Sequence, residues 1–134
     1  MVESGSADDF YHLGLGTDTV IFDLLDRKDA VGGNGLDTWS DFHVGNVDLD
    51  LNADQIDVSA LLSENTIANN SELAKYISVE VKDGNTVLSI DRDGKKYDEQ
   101  KNLIKDQFTD TEFLVLQDTT VSLDDLLKNG QIIY

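Results

Sequence analysis

Hydrophobic and polar positions change rhythm along this chain. In the first third, apolar residues come in short bursts, Val20-Ile21-Phe22, Leu24-Leu25 and Trp39, separated by glycine- and aspartate-rich stretches. Bursts this short predict brief strands between tight turns. Residues 1–12 are polar with a Gly-Ser opening and read as a tail leading into the domain. Val47, Leu49 and Leu51 alternate with Asp48 and Asp50, which predicts a strand with carboxylates facing solvent or an ion. Residues 58–62 fit a helical turn or two, and Asn70-Ser71 offers an N-cap for a short helix over 72–76. Residues 76–81 and 86–91 alternate as strands around Asp83-Gly84, a strong hairpin signal, and Asp91-Arg92-Asp93-Gly94 marks a second turn. Residues 95–110 read as a partly helical, half-buried excursion, and 112–116 as a buried strand. Ser122 with Asp125 resembles a capping box, Leu123, Leu126 and Leu127 share a helix face, and Gly130 supplies the stop. The closing Gln131-Ile132-Ile133-Tyr134 is strand-like and is expected to be tucked into the structure.

The glycine-rich stretches add chemistry to this pattern. Gly32-Gly33-Asn34-Gly35-Leu36-Asp37-Thr38-Trp39-Ser40 fits the nonapeptide G-G-x-G-x-D-x-U-x, with Trp39 as the large apolar residue U. Glycines let the backbone turn its carbonyls inward, the Asp supplies a carboxylate, and the apolar residue starts a strand that packs a core. A hard cation such as calcium wants this oxygen set, although a single copy is equally an ordinary Gly-Asn-Gly loop. Gly14-Leu15-Gly16-Thr17-Asp18-Thr19-Val20 repeats the core of the pattern, and Asp18 precedes Asp37 by 19 residues. Nine-residue half-coils would stack equivalent turns about eighteen residues apart, so one extra residue between them would bring both glycine turns to the same edge, where they could share an ion. The register Asp48-x-Asp50-x-Asn52 invites an EF-hand reading, but Ala53 stands where its glycine belongs and Ser59 where its glutamate belongs.

The charge balance points the same way. The 134 residues hold 27 Asp plus Glu against 10 Lys plus Arg, a formal charge of -17. Such an excess argues against nucleic acid and anionic membranes as partners, and makes the compact state self-repelling unless cations neutralise it. The chain length suits one domain, and with no cysteine there is neither disulfide nor thiolate site. The start carries no basic and apolar leader pattern, and no apolar run reaches a membrane-spanning length.

Residues 37–42, followed by Asp54-Gln55-Ile56-Asp57-Val58-Ser59-Ala60-Leu61-Leu62, resemble the pattern at the C-terminal ends of repeats-in-toxin (RTX) proteins, which bacteria export by type I secretion. The strands over 86–91 and 113–116 and the closing Leu123-x-x-Leu126-Leu127-x-Asn129-Gly130-Gln131-Ile132-Ile133 continue the resemblance through residues 13–134, and the last segment is similar to the ends of large RTX adhesins. The resemblance implies a mainly β fold: a short calcium-binding parallel β-roll remnant, capped by a β-sandwich or hairpin-rich region with a few short helices. It implies a single RTX-type domain over 13–134, with calcium-binding turns in 13–45 and a cap and secretion-signal region in 46–134. Calcium would be held by carbonyls of Gly14, Gly16, Gly33, Asn34 and Gly35 and by carboxylates of Asp18, Asp37 and Asp41. Leu123, Leu126, Leu127, Gly130, Ile132 and Ile133 would lie in an uncleaved export signal read by an ABC exporter and its membrane-fusion adaptor. The chain would leave the cytoplasm unfolded and fold, as a monomer, at the cell surface or in the medium. It departs from the pattern at Leu13, which replaces the leading Gly, and in the long lysine-containing stretch 95–110.

The expected function is thus a non-enzymatic terminal module of an RTX adhesin, folding on calcium and carrying the export signal. Two other classes compete. RTX ends also follow secreted proteases and lipases, but His12 and His43 are the only histidines, and neither H-E-x-x-H nor G-x-S-x-G is present. A calcium-dependent carbohydrate or peptide binder could use Trp39 and the four tyrosines as a platform, whereas the U position is expected to point Trp39 into the core.

Overall fold

Five short strands alternate between two sheets as the chain advances: β1 (Val2–Glu3), β2 (Phe10–Tyr11), β3 (Thr19–Ile21), β4 (Asp37–Trp39) and β5 (Gln55–Asp57). In the computed structural model, β1, β3 and β5 pair in parallel in one sheet, with Val2 opposite Val20 and Val20 opposite Ile56. In the other sheet β2 and β4 pair in parallel, with Phe10 opposite Thr38. Residues 1, 4, 7, 27, 29, 30, 64–66, 93–95, 98, 99, 101, 102 and 105–109 are not described, and 96, 97, 103 and 104 are described by backbone only.

Each strand is too short to be stable alone and presents one or two large side chains inward. Val20, Trp39 and Ile56 have no exposed surface, and with Tyr11 they join one continuous core. Stacking successive coils buries what a single coil cannot. Residues 1–12, expected as a polar tail, instead supply β1 and β2, and Tyr11 is buried. Their polar look comes from the turn between those strands.

The rest of the chain completes the two sheets. β6 (Ile77–Lys82) and β7 (Asn85–Ile90) form an antiparallel hairpin, and positive φ at both Asp83 and Gly84 gives the two-residue turn the hand that matches strand twist. β8 (Lys96–Tyr97) and β9 (Leu103–Ile104) pair antiparallel, so the helical expectation for this region gives way to a strand pair where the backbone is described. The expected turn at 91–94 and the remainder of 95–110 lie largely outside the described residues. β10 (Thr111–Leu116) is the hinge of the architecture, parallel to β4 on one side and antiparallel to β7 on the other, with a register shift between Glu112 and Leu114. The sheet orders are therefore β1-β3-β5-β11 and β2-β4-β10-β7-β6, where β11 is Ile132–Ile133.

Two short helices occur among the described residues, α1 (Asn70–Leu73) and α2 (Leu123–Lys128). α1 is capped by Asn69, one residue before the expected cap, because its side chain reaches the Glu72 amide. α2 has the expected cap, with Ser122 Oγ accepting from the Asp125 amide, and Leu126 is fully buried. The chain then turns at Gly130 (φ 72°) into β11, which pairs in parallel with β5. None of the helices among the described residues is long and apolar enough to cross a membrane. The described residues are mainly sheet, with one all-parallel sheet, one mixed sheet and the separate antiparallel β8–β9 pair.

Candidate metal centre

The connections between the two sheets fall into two stacks. In the first, residues 8 and 9 lie against 36 and 37: the Leu36 amide donates to Asp8 Oδ1 and the Asp9 amide to Asp37 Oδ1, both at 2.9 Å. In the second, residues 12–18 lie against 40–54, where the Gly16 amide donates to Asn52 Oδ1 at 2.8 Å and the Asp18 amide to Asp54 Oδ1 at 3.0 Å. The two glycine turns are thus not neighbours. Asp18 precedes β3 in one sheet and Asp37 precedes β4 in the other, so their spacing covers half a coil. The structure thus does not bring Asp18 and Asp37 to the one edge that their spacing suggested. The long connections 22–36 and 40–54 are the cause, since they stretch later coils well beyond eighteen residues.

In the first stack the expected ligands are committed to structure. Asp37 is fully buried, with Oδ1 bonded to the Asp9 amide and Oδ2 to the Tyr11 hydroxyl at 2.8 Å. Asn34 is fully buried too: its Nδ2 donates to the carbonyls of Asp23 (2.7 Å) and Val31 (2.9 Å), while its Oδ1 has no partner. Gly33 combines φ 84° with main chain so close that a Cβ would lie 3.1 Å from the Asp26 nitrogen, which explains the glycine. Gly35 also has positive φ.

The second stack gathers the uncompensated charge. Asp41 accepts from the Leu13 amide (3.0 Å), the Gly14 amide (2.6 Å) and the Trp39 indole (3.0 Å). Burial works to raise its carboxyl, but the Gly14 and Leu13 donors, the nearby His12 and the indole outweigh it and hold it below the ordinary value. Asp54 is pushed the other way: burial raises it, the Asp18 and His43 amides offset part of that, and the charges of Asp18 and Asp41 raise it further. Asp18 Oδ2 is buried and without a hydrogen-bond partner. Gly14 and Gly16 shape this turn at φ 85° and 94°. His43 Nε2 meets Asp50 Oδ2 at 2.8 Å, and Asp50 is held low by the Asn52 amide and by His43. An open cleft of about 330 Å³ runs between the stacked turns, lined by His12, Gly14, Leu15, Asp41, His43 and Asn52.

Residues 44–54 do not form the expected strand. They turn repeatedly, with Asp50 and Asn46 capping their own loop, and Leu49 and Leu51 are 85% and 87% exposed. Strands rather than helices flank this loop. Asn52 and Asp54 were not expected as site residues. A local signal existed, because Asp50-x-Asn52-x-Asp54-x-Ile56 has the frame of Gly14-x-Gly16-x-Asp18-x-Val20. Gln131 carried no such signal, yet its buried side chain bonds to the carbonyls of His43 and Asp54, both at 2.8 Å. Of the residues expected in an export signal, Leu126 and Ile132 are buried, Leu123 and Leu127 pack against the core, Gly130 forms the turn and Ile133 lies in β11.

Among the described residues, no three imidazole or carboxylate side chains gather as a metal-ligating group. What converges is a carboxylate pair, Asp18 and Asp54, with Asp41 near enough to influence it. Trp39 is fully buried and stacked edge-on with Tyr11 and Phe42, so it offers no surface platform. No family model, curated protein or solved structure matches the chain.

Proposed function

We propose that this chain is a non-enzymatic, calcium-stabilised module from the end of an RTX-type adhesin, working outside the cell after type I export. In this reading β1 to β5 are two coils of a parallel β-roll, and the β6–β7 hairpin, β10 and α2 are its cap. The alternation of parallel strands between two sheets supports the roll. The observation that carries the calcium reading is Asp18 Oδ2, buried without a donor beside the charge-strained Asp54. A hard cation there would be held by Asp18 and Asp54 with Asn52 and turn carbonyls completing an oxygen set. It would offset the burial and, to a lesser degree, the neighbouring charges of Asp18 and Asp41 that raise Asp54, and its binding would become folding free energy. The C-terminal residues would be the export signal, read by an exporter and adaptor before folding.

Isothermal titration and thermal melts in calcium and in chelator test the central claim. Calcium uptake with a raised melting temperature is expected, and equal stability in both conditions would sink it. Deleting residues 122–134 from the exported parent and measuring its secretion tests the signal.

A second reading is favoured by Asp37, Asp41 and Asp54, whose carboxylates are already occupied by N–H and O–H donors. In it the aspartates are metal-free staples, each bonding the turn of a neighbouring coil. The two readings part at Asp18, whose Oδ2 alone among these four aspartates is buried without a donor; Asp54 bonds two amides as a staple does and would offer a cation only its remaining lone pairs.

A further inference from the structure

We propose that Gln131 couples the Asp18–Asp54 corner to the seating of the C-terminal strand, so that closing the turn and docking β11 are one event. The inference rests on the calcium reading only for the identity of the cation that drives it. Gln131 is fully buried, and every polar atom of its side chain is used across elements. Its Nε2 donates to the His43 and Asp54 carbonyls, and its Oε1 accepts from the Gly45 amide and from Asn129 Nδ2, both at 3.2 Å. Its main chain accepts from the Ile56 amide at 2.7 Å and donates to the Leu126 carbonyl at 2.9 Å. The same His43 whose carbonyl Gln131 holds donates its amide to Asp54 Oδ2 at 2.8 Å.

If β11 leaves, His43 and Asp54 lose buried partners on the residues that fix the Asp54 carboxylate. If the corner springs open under the repulsion between Asp18 and Asp54, Gln131 loses its acceptors. Neither half is satisfied without the other, because a buried polar group without a partner is strongly unfavourable. A cation that favours the closed corner therefore favours the seated strand, and by linkage the seated strand raises cation affinity by the same factor. The segment proposed as an export signal would be loose in chelator and withdrawn in calcium.

Amide hydrogen exchange on the full chain reads both halves separately. The His43 and Asp54 amides report the turn, through bonds to Asp54 Oδ2 and the His43 carbonyl. The Ile56 and Val58 amides report β11, through bonds to the carbonyls of Gln131 and Ile133. In chelator, Gln131→Met should speed exchange at both sets by about tenfold or more, the scale of losing a buried hydrogen-bonded partner. Ile133→Thr loosens the strand while leaving Gln131 in place, and should also speed both sets. Loosening of Ile56 and Val58 with wild-type protection at His43 and Asp54 in either variant overturns the coupling. In wild type, calcium should slow exchange at Ile56 and Val58, and Gln131→Met should abolish that gain. Calcium uptake without slower exchange at those two amides also overturns it. If titration shows no calcium uptake, the calcium reading fails and the chelator comparison still decides the coupling.

Discussion

The main-chain amide of Asp18 donates to Asp54 Oδ1 at 3.0 Å across two turns that are 36 residues apart in sequence. That bond holds two carboxylates together in a partly buried corner, and one of their four oxygens, Asp18 Oδ2, finds no donor there. Backbone register between β3 and β5 imposes the arrangement, since Thr19 pairs with Gln55 immediately after both aspartates. The fold therefore sets two carboxylates side by side in partial burial, an arrangement that a proton on Asp54 or a cation would ease.

Removing one of the two charges is the most direct consequence. Asp18→Asn keeps the shape and the amide bond to Asp54 while deleting the repulsion. In chelator it should raise stability by about 0.5–1 kcal/mol, the scale of a partly exposed charge pair. In excess calcium it should lose the increment shown by wild type, which at a hundredfold excess over Kd is about 2.7 kcal/mol. Thermal melts of both proteins in both conditions check this, and an unchanged calcium increment in the variant removes Asp18 from the ligand set.

Asp37 should behave in the opposite way. Its two oxygens satisfy the Asp9 amide and the Tyr11 hydroxyl in a fully buried position. Asp37→Ala leaves those donors without an acceptor and should destabilise by about 2–4 kcal/mol in calcium and chelator alike. Urea denaturation in the two conditions separates this from a ligand, whose loss would matter chiefly in calcium.

The contrast between these aspartates explains what was legible in the sequence. Local signals were strong where one turn or cap decides the structure: Asp83-Gly84 in its hairpin, Ser122 at its helix and Trp39 in the core all follow from neighbours in sequence. The pairing of turns was not local. Asp18 and Asp37 carry the same motif at a tempting spacing, but the length of 22–36 decides which turns meet, and composition does not encode it. Leu49 and Leu51 alternate with aspartates as strand residues would, but Asx turns at Asn46 and Asp50 bend the backbone there and leave both leucines exposed. Residues 1–12 look like a tail because their few apolar positions, Val2, Phe10 and Tyr11, gain meaning only against coils that come later.

Acidity should act on the two shifted carboxyls in opposite directions. Asp41 is held below 3.8, so its stabilising contribution is complete above that value and is lost as pH falls through its lowered folded value. Asp54 is held above 3.8, so its contribution is complete below that value and is lost as pH rises through its raised folded value. In chelator, acidification from neutrality should first stabilise the protein as Asp54 takes a proton, then destabilise it as Asp41 does. Urea midpoints at stepped pH should pass through a maximum on the acid side of neutrality, and calcium should lift the neutral limb. A midpoint that falls steadily from pH 7 downward would contradict the strain assigned to Asp54.

Trp39 gives an internal reporter of the second stack. Its ring is fully buried, 5.0 Å from Phe42 and 6.3 Å from Tyr11, both edge-on, and its Nε1 donates to Asp41 Oδ1 at 3.0 Å. Its emission should be blue-shifted, resistant to acrylamide and indifferent to sugars, which a surface platform would not be. Trp39→Phe keeps an aromatic but leaves space and removes one donor from Asp41, so a loss of about 1–3 kcal/mol is expected. Asp41→Asn preserves the packing and changes only what the indole and the Leu13 and Gly14 amides meet. If Asp41 is a staple, the emission of the Asp41→Asn protein should shift equally with and without calcium. If Asp41 is a ligand, the shift should differ between the two conditions, because only then does the ion reach the carboxylate that the indole touches.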